Sequence, residues 1–238
     1  MKKSLWLTFA AGSFALGLMT APGRGQDPKP EGQKVRFDHI VRNDFFAGLS
    51  GDREAFARAM RAAEETIKEN PKHAEALVWH GAGLFSQSGQ AFQSGDFQRG
   101  QEMWEQGLAE MDEAVKLRPD TAATRIPRGS AMLMASRFVP QERKAALLER
   151  AVADFSHMYD LQKDSLDKLG THPRGELLMG LADGYDRSGE KEKSKALLAK
   201  VVSEMGESVY GKRAQKWLET GDLPAVQRNC IGCHTAGH

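Results

Sequence analysis

The residues best suited to chemistry sit together near the end of the sequence. They read Cys230-Ile231-Gly232-Cys233-His234, followed by Thr235-Ala236-Gly237-His238. The two cysteines are the only ones in the 238 residues. C-x-x-C-H is the attachment pattern for a covalent haem c. Two thiols three residues apart can each add to one vinyl group of the same porphyrin. The adjoining imidazole can then turn under the ring and ligate the iron. Gly232 keeps bulk low where the chain would lie against the macrocycle. Other chemistries use the same residues. Cys230, Cys233, His234 and His238 include the ligand types of a zinc site, and the histidine gap fits one. Zinc knuckles, however, separate their two ligand pairs by more chain. A disulfide between Cys230 and Cys233 would close a very small loop. A thioredoxin-like pair needs a strand-to-helix setting, which this stretch lacks.

The start of the chain bears on which chemistry is available. Lys2 and Lys3 precede an uncharged run from Leu5 to Met19, and small residues come after it. That is the pattern of a secretory signal, here residues 1–25. The run falls short of the ~20 apolar residues of a membrane span. Removing it takes away Lys2, Lys3 and Arg24 but no acid, which leaves a slightly acidic remainder. The expected location is periplasmic or extracellular, and no other stretch is apolar enough to span a membrane. Free cysteine pairs in such oxidising surroundings usually become disulfides, whereas thioether-bound cysteines do not.

In the form CIGCHT, the end of the chain resembles the haem-binding segment of c-type cytochromes. That resemblance makes Cys230 and Cys233 the thioether positions of one covalent haem c, with His234 as an axial iron ligand. It departs from the family in one respect. A small cytochrome c carries this motif near its start and wraps the haem with the rest of its fold, whereas only four residues come after His234 here. The upstream chain or a partner must then cover the ring, or the ring stays largely exposed. The distal ligand is not assigned. His80 and His238 are candidates, although His238 lies too close to His234 to reach the opposite face without a chain reversal. His39, His73, His157, His172 and Met179 are further possibilities.

Between these ends the sequence reads as helix. Strong helix formers dominate from Phe37 to Gly221, and no stretch shows sustained alternation of β-branched residues between turns. The fold class is therefore all-α. In LLMGLADGYDRSGEKEKSKALLAKVVSE (177–204), Leu178, Leu181, Ala182 and Tyr185 keep a helical spacing. Gly189 then breaks the chain, and Leu198 and Val201 point inward from a second helix. In NPKHAEALVWHGAGL (70–84), Leu77, Gly81 and Leu84 do the same, with His80 at a position usually apolar. Its partner helix carries Gly107, Met111 and Ala114 and runs to Pro119.

These stretches resemble the tetratricopeptide-repeat (TPR) family. The resemblance implies antiparallel helix pairs with a ~34-residue period that stack into an α-solenoid with a concave binding face. Pro71 and Pro119 stand 48 positions apart. The surplus is expected in residues 85–100, as a long loop or as extended helix ends. A weaker unit has Arg125, Arg128, Gly129 and Met132 at the right spacing, with Pro127 expected to begin its first helix. Residues 140–163 supply its second helix, and residues 208–219 a terminal one.

The expected organisation is a signal at 1–25, a linker at 26–36, a helical repeat domain at 37–221 and a haem-attachment tail at 222–238. Lys and Arg number 33 against 32 Asp and Glu, so nothing marks a nucleic-acid binder. No Walker loop, Rossmann glycine pattern, HExxH or GxSxG is present. These features point to an exported haem carrier or adaptor that docks a redox partner, rather than to a substrate-converting enzyme. The competing readings are a periplasmic TPR scaffold with a zinc or disulfide tail, and a haem enzyme or gas sensor with an open sixth position.

Overall fold

The computed structural model describes residues 36–223. The expected signal segment, nearly all of the linker and the C-x-x-C-H stretch lie outside the described residues. Those described are helical, and no strand occurs among them. The helices are α1 (Phe37–Leu49), α2 (Arg53–Glu69), α3 (Ala74–Gln93), α4 (Phe97–Leu117), α5 (Ala122–Ala135), α6 (Gln141–Gln162), α7 (Thr171–Arg187), α8 (Lys191–Met205) and α9 (Val209–Thr220). A 3-10 turn at Lys163–Lys168 joins α6 to α7. The all-α expectation is met.

Short polar side chains start several helices. Asp52 accepts the backbone N–H of Ala55 at 2.9 Å, and Asp96 accepts that of Arg99 at 3.2 Å. Such caps satisfy amides that no helical carbonyl can reach. His73 does the same through Nδ1, accepting from the Ala76 amide at 3.1 Å. Gly95, with φ of 85°, allows the tight turn from α3 into α4.

The surplus between Pro71 and Pro119 is helix, not loop. α3 runs for 20 residues and α4 for 21, and only Ser94, Gly95 and Asp96 separate them. The two helices run antiparallel and meet at backbone distance. A Cβ placed on Gly81 would lie 2.7 Å from the Gly107 carbonyl oxygen. A Cβ on Gly107 would lie 2.6 Å from the Gly81 carbonyl oxygen. The two small residues read from the sequence are therefore where the helices cross. Further along the pair, Phe85 stacks on Trp104 with ring centroids 4.1 Å apart.

Pro127 does not begin a helix. Thr121 caps α5, and Pro127 sits inside it. The first helical amides have no partner in any case, but Pro127 lies beyond them and removes one bond of the regular ladder. Arg125 and Arg128 owe their spacing to a charge pair. Asp154 on α6 is fully buried, and it accepts from Arg125 Nη1 at 2.8 Å and from Arg128 Nε and Nη2 at 2.7 Å each.

In 177–204, Leu178, Leu181, Ala182, Leu198 and Val201 are all buried. Each leucine buried in this way contributes about 1.5–3 kcal/mol relative to exposure. The core extends without a break from Phe37 to Leu223. Each odd-numbered helix touches the next odd-numbered one: α1 on α3, α3 on α5, α5 on α7 and α7 on α9. That layer of odd helices positions the candidate site.

Candidate functional site

The odd-numbered helices, with Phe155 and Gln162 of α6, wall a cavity of about 490 Å³. Pockets that bury a small-molecule or cofactor ligand have about this size, ~300–1,000 Å³. Its apolar surface includes Phe45 and Phe46 from α1, Trp79 from α3, Ile126 and Met134 from α5, and Met179 from α7. Phe45 and Trp79 pack edge to face, with ring centroids 5.0 Å apart. The α3 pattern explains the placement of Trp79. It lies one residue before His80 and so turns toward the layer of odd helices, while His80 turns toward α2 and α4.

The polar part of the wall comes from α1, α7 and α9. Asp38 is buried, and it accepts from Arg36 Nη2 at 3.0 Å and from Arg42 Nη2 at 2.8 Å. Both bonds fall on Oδ2, and Oδ1 has no hydrogen-bond partner among the described residues. Trp79 Nε1 is likewise buried without an acceptor among them. His172 Nδ1 lies 2.7 Å from the Tyr210 hydroxyl, and its Nε2 lies 3.6 Å from Glu176 Oε2. Burial pushes the Glu176 carboxyl up from its ordinary value. His172 and Arg42 pull it back down, and Asp38 adds to the rise. Thus α1 and α7 act on each other electrostatically through this region.

Asp183, also on the wall, is raised by burial despite Arg137 at 2.6 Å and Arg187 at 3.6 Å. The lining therefore combines aromatic and thioether surface with arginines (Arg36, Arg42, Arg213) and carboxyls (Asp38, Glu176, Asp183). It can take an apolar group that also carries polar substituents. Arginine forks suit carboxylates among them.

The histidines named from the sequence fall in different places. His39 and His172 line the cavity, as does Met179. His73 caps α3, and His157 Nε2 lies 2.7 Å from Asp120 Oδ1 near the surface. His80 is buried, with Nδ1 2.6 Å from Glu110 Oε2 and Nε2 3.5 Å from Glu64 Oε1. Burial opposes its charge, but Glu110 and Glu64 outweigh burial and raise its pKa. Both of its nitrogens are engaged, and it does not line the cavity. Its departure from the apolar pattern serves an ion pair between helices. Cys230, Cys233, His234 and His238 lie outside the described residues.

Among the described residues, no cluster of three or more His, Cys, Asp or Glu side chains is arranged to hold a metal ion. None of the described helices is long and apolar enough to cross a membrane. The cavity itself had no signal in the sequence that singled it out, because its lining is drawn from six helices. Compared with protein-family models, curated proteins and solved structures, the chain matches none.

Proposed function

We propose that this is an exported c-type haem protein. A TPR-like helical scaffold carries one covalent haem c for electron transfer or for docking a redox partner. The observation that carries this reading is the sequence Cys230-Ile231-Gly232-Cys233-His234, which uses both cysteines of the chain. The leader-like residues 1–25 support it, since haem attachment in bacteria takes place outside the cytoplasm.

In this reading Cys230 and Cys233 would hold the group through thioethers, each thiol adding across one vinyl double bond with its proton passing to the other vinyl carbon, so that no oxidant or reductant would be needed. His234 would ligate the iron through a neutral ring nitrogen. The bound group supplies one-electron exchange at the iron. Of the candidates for the sixth ligand, His80 already has its nitrogens facing Glu110 and Glu64, and the sixth position stays unassigned.

The repeat-like architecture supports the docking half of the proposal. The paired glycines at 81 and 107, the helix pairs and the layer of odd helices fit a short α-solenoid. A fold of this kind offers a surface and no chemistry of its own, so the chemistry is assigned to the tail.

The test is expression in a host that matures haem c. The expected product is coloured, and its mass is raised by one haem that survives denaturation. The double substitution Cys230→Ala with Cys233→Ala abolishes both. A colourless product of unmodified mass, in cells that mature a control cytochrome, overturns the haem reading. It would favour a TPR scaffold whose tail is a zinc or disulfide site.

A further inference from the structure

We infer that the cavity walled by the odd-numbered helices is the seat of the chain's own C-terminal segment, residues 224–238, together with the haem that Cys230 and Cys233 carry. The inference rests on the haem reading and adds where the group is held.

The described chain stops at the cavity. Gly221, with φ of 74°, ends α9, and its amide donates to the Trp217 carbonyl at 2.8 Å. Two residues later Leu223 is buried, 7% exposed, and forms part of the cavity wall. The last described residue is thus held at the cavity wall.

The tether also has the reach. Cys230 lies seven residues beyond Leu223. A fully extended stretch of that length covers at most about 25 Å. The 14-residue helix α5, which forms one side of the cavity, is about 21 Å long. The tether is therefore long enough to place the two cysteines anywhere along that wall.

The chemistry of the wall matches the group. A haem is an apolar disc with two carboxylates on one edge. Phe45, Phe46, Trp79 and Ile126 offer it flat and branched apolar contacts. Met134 and Met179 offer adaptable thioether surface. In the same lining, Arg36 and Arg42 share a single carboxylate, Asp38, which leaves guanidinium donors for further acceptors. The Trp79 indole N–H also lacks an acceptor among the described residues. Buried donors of this kind usually have partners, and an acceptor on the occupant would supply one.

Competition favours the same occupant. A segment tethered at the cavity edge has an effective concentration on the order of millimolar. A free peptide must bind far more tightly than that to displace it. The chain's own tail is thus the favoured occupant over a foreign peptide.

The test uses the full-length haem-loaded protein and compares it with the Cys230→Ala, Cys233→Ala double variant. In hydrogen–deuterium exchange, the wall segments of α1, α5 and α7 should exchange about tenfold or more slowly in the loaded protein. Ser130, half-buried on the wall, provides a second arm. Ser130→Trp fills the cavity from α5. It should leave haem attachment unchanged by mass while making the haem several-fold more reactive toward added cyanide. Ser130→Ala should not.

Equal exchange in loaded and unloaded protein, with attached haem confirmed by mass, overturns the inference and leaves the haem reading intact. A product without haem overturns that reading instead. The exchange comparison needs no wall substitution, so a misfolded Ser130→Trp protein does not blunt the test.

Discussion

The pairs α3–α4 and α5–α6 solve one packing problem in opposite ways. Where α3 crosses α4, Gly81 and Gly107 let the backbones touch, and a half-buried Glu110 meets the adjacent His80. Where α5 meets α6, the corresponding region has a large aromatic residue, Phe155, against Gly129 and a fully buried Asp154 bound by two arginines. The first junction depends on the absence of side chains. The second depends on a charge that must stay paired. Burying a carboxylate is costly, and its arginines compensate only while the geometry holds. The two junctions should therefore fail differently.

The largest effect is expected at Asp154. Replacing it with Ala leaves Arg125 and Arg128 half-buried without their carboxylate, although Arg128 keeps Asp112 at 3.0 Å. Breaking a buried pair on one side costs about 3–5 kcal/mol. Urea unfolding should show that loss as a lower midpoint at unchanged slope. A triple replacement of Asp154, Arg125 and Arg128 by apolar residues of similar volume should recover much of it. A loss below about 1 kcal/mol for Asp154→Ala would mean that the pair contributes no more than a surface salt bridge.

The crossing of α3 and α4 should respond to added bulk instead. Gly107→Ala sets a methyl group against the Gly81 carbonyl oxygen, with the Phe85 amide nitrogen 3.1 Å away. Backbone atoms cannot rotate aside, so the helices must separate. Overpacking of this kind costs about 1–3 kcal/mol. A Cβ added to Gly89, on α3, would have nothing within 4 Å, and Gly89→Ala should be neutral or slightly stabilising through helix propensity. Comparing the two alanine variants by thermal unfolding isolates the crossing from propensity. Equal midpoints would remove the close approach as a stabilising constraint.

These junctions also show what could be read from the chain alone. The small residues at 81 and 107 were visible because helix crossing constrains size at fixed spacing. That Gly81 meets Gly107 directly was not legible, because their register depends on where the turn between α3 and α4 falls. The buried role of Arg125 and Arg128 was not, since Asp154 lies 26 positions or more away on another helix and surface arginines look identical in sequence. Pro127 misled because a proline's ordinary place is the first turn, and the Thr121 cap sets that start earlier. The cavity was out of reach because each helix contributes only a few of its residues, and no local period marks them. The C-x-x-C-H motif, from which the haem proposal starts, was visible at once because five consecutive residues carry it.

The smallest expected effect separates the two junctions by their response to pH. The folded His80 has its pKa raised above the ordinary 6.5, because Glu110 and Glu64 outweigh burial. A raised histidine pKa stabilises the fold fully below the unfolded value, and that stabilisation is lost as pH rises through the folded value. Stability measured by urea midpoint should therefore fall on the alkaline side of 6.5. The Asp154 junction is built from arginines and carboxylates and has no histidine among its hydrogen-bonded partners. Glu176 and Asp183 are also raised, and both can titrate as pH increases. The profile of the native sequence alone therefore does not assign the slope. His80→Gln retains a hydrogen-bonding side chain beside Glu110 but cannot take up the proton. Subtracting its profile from that of the native protein leaves the His80 contribution. The difference should be largest at mildly acidic pH and level off to a constant above the raised value. A difference that is flat with pH would show that His80 holds α2, α3 and α4 together by packing and neutral hydrogen bonds, as the glycines do, and not by charge.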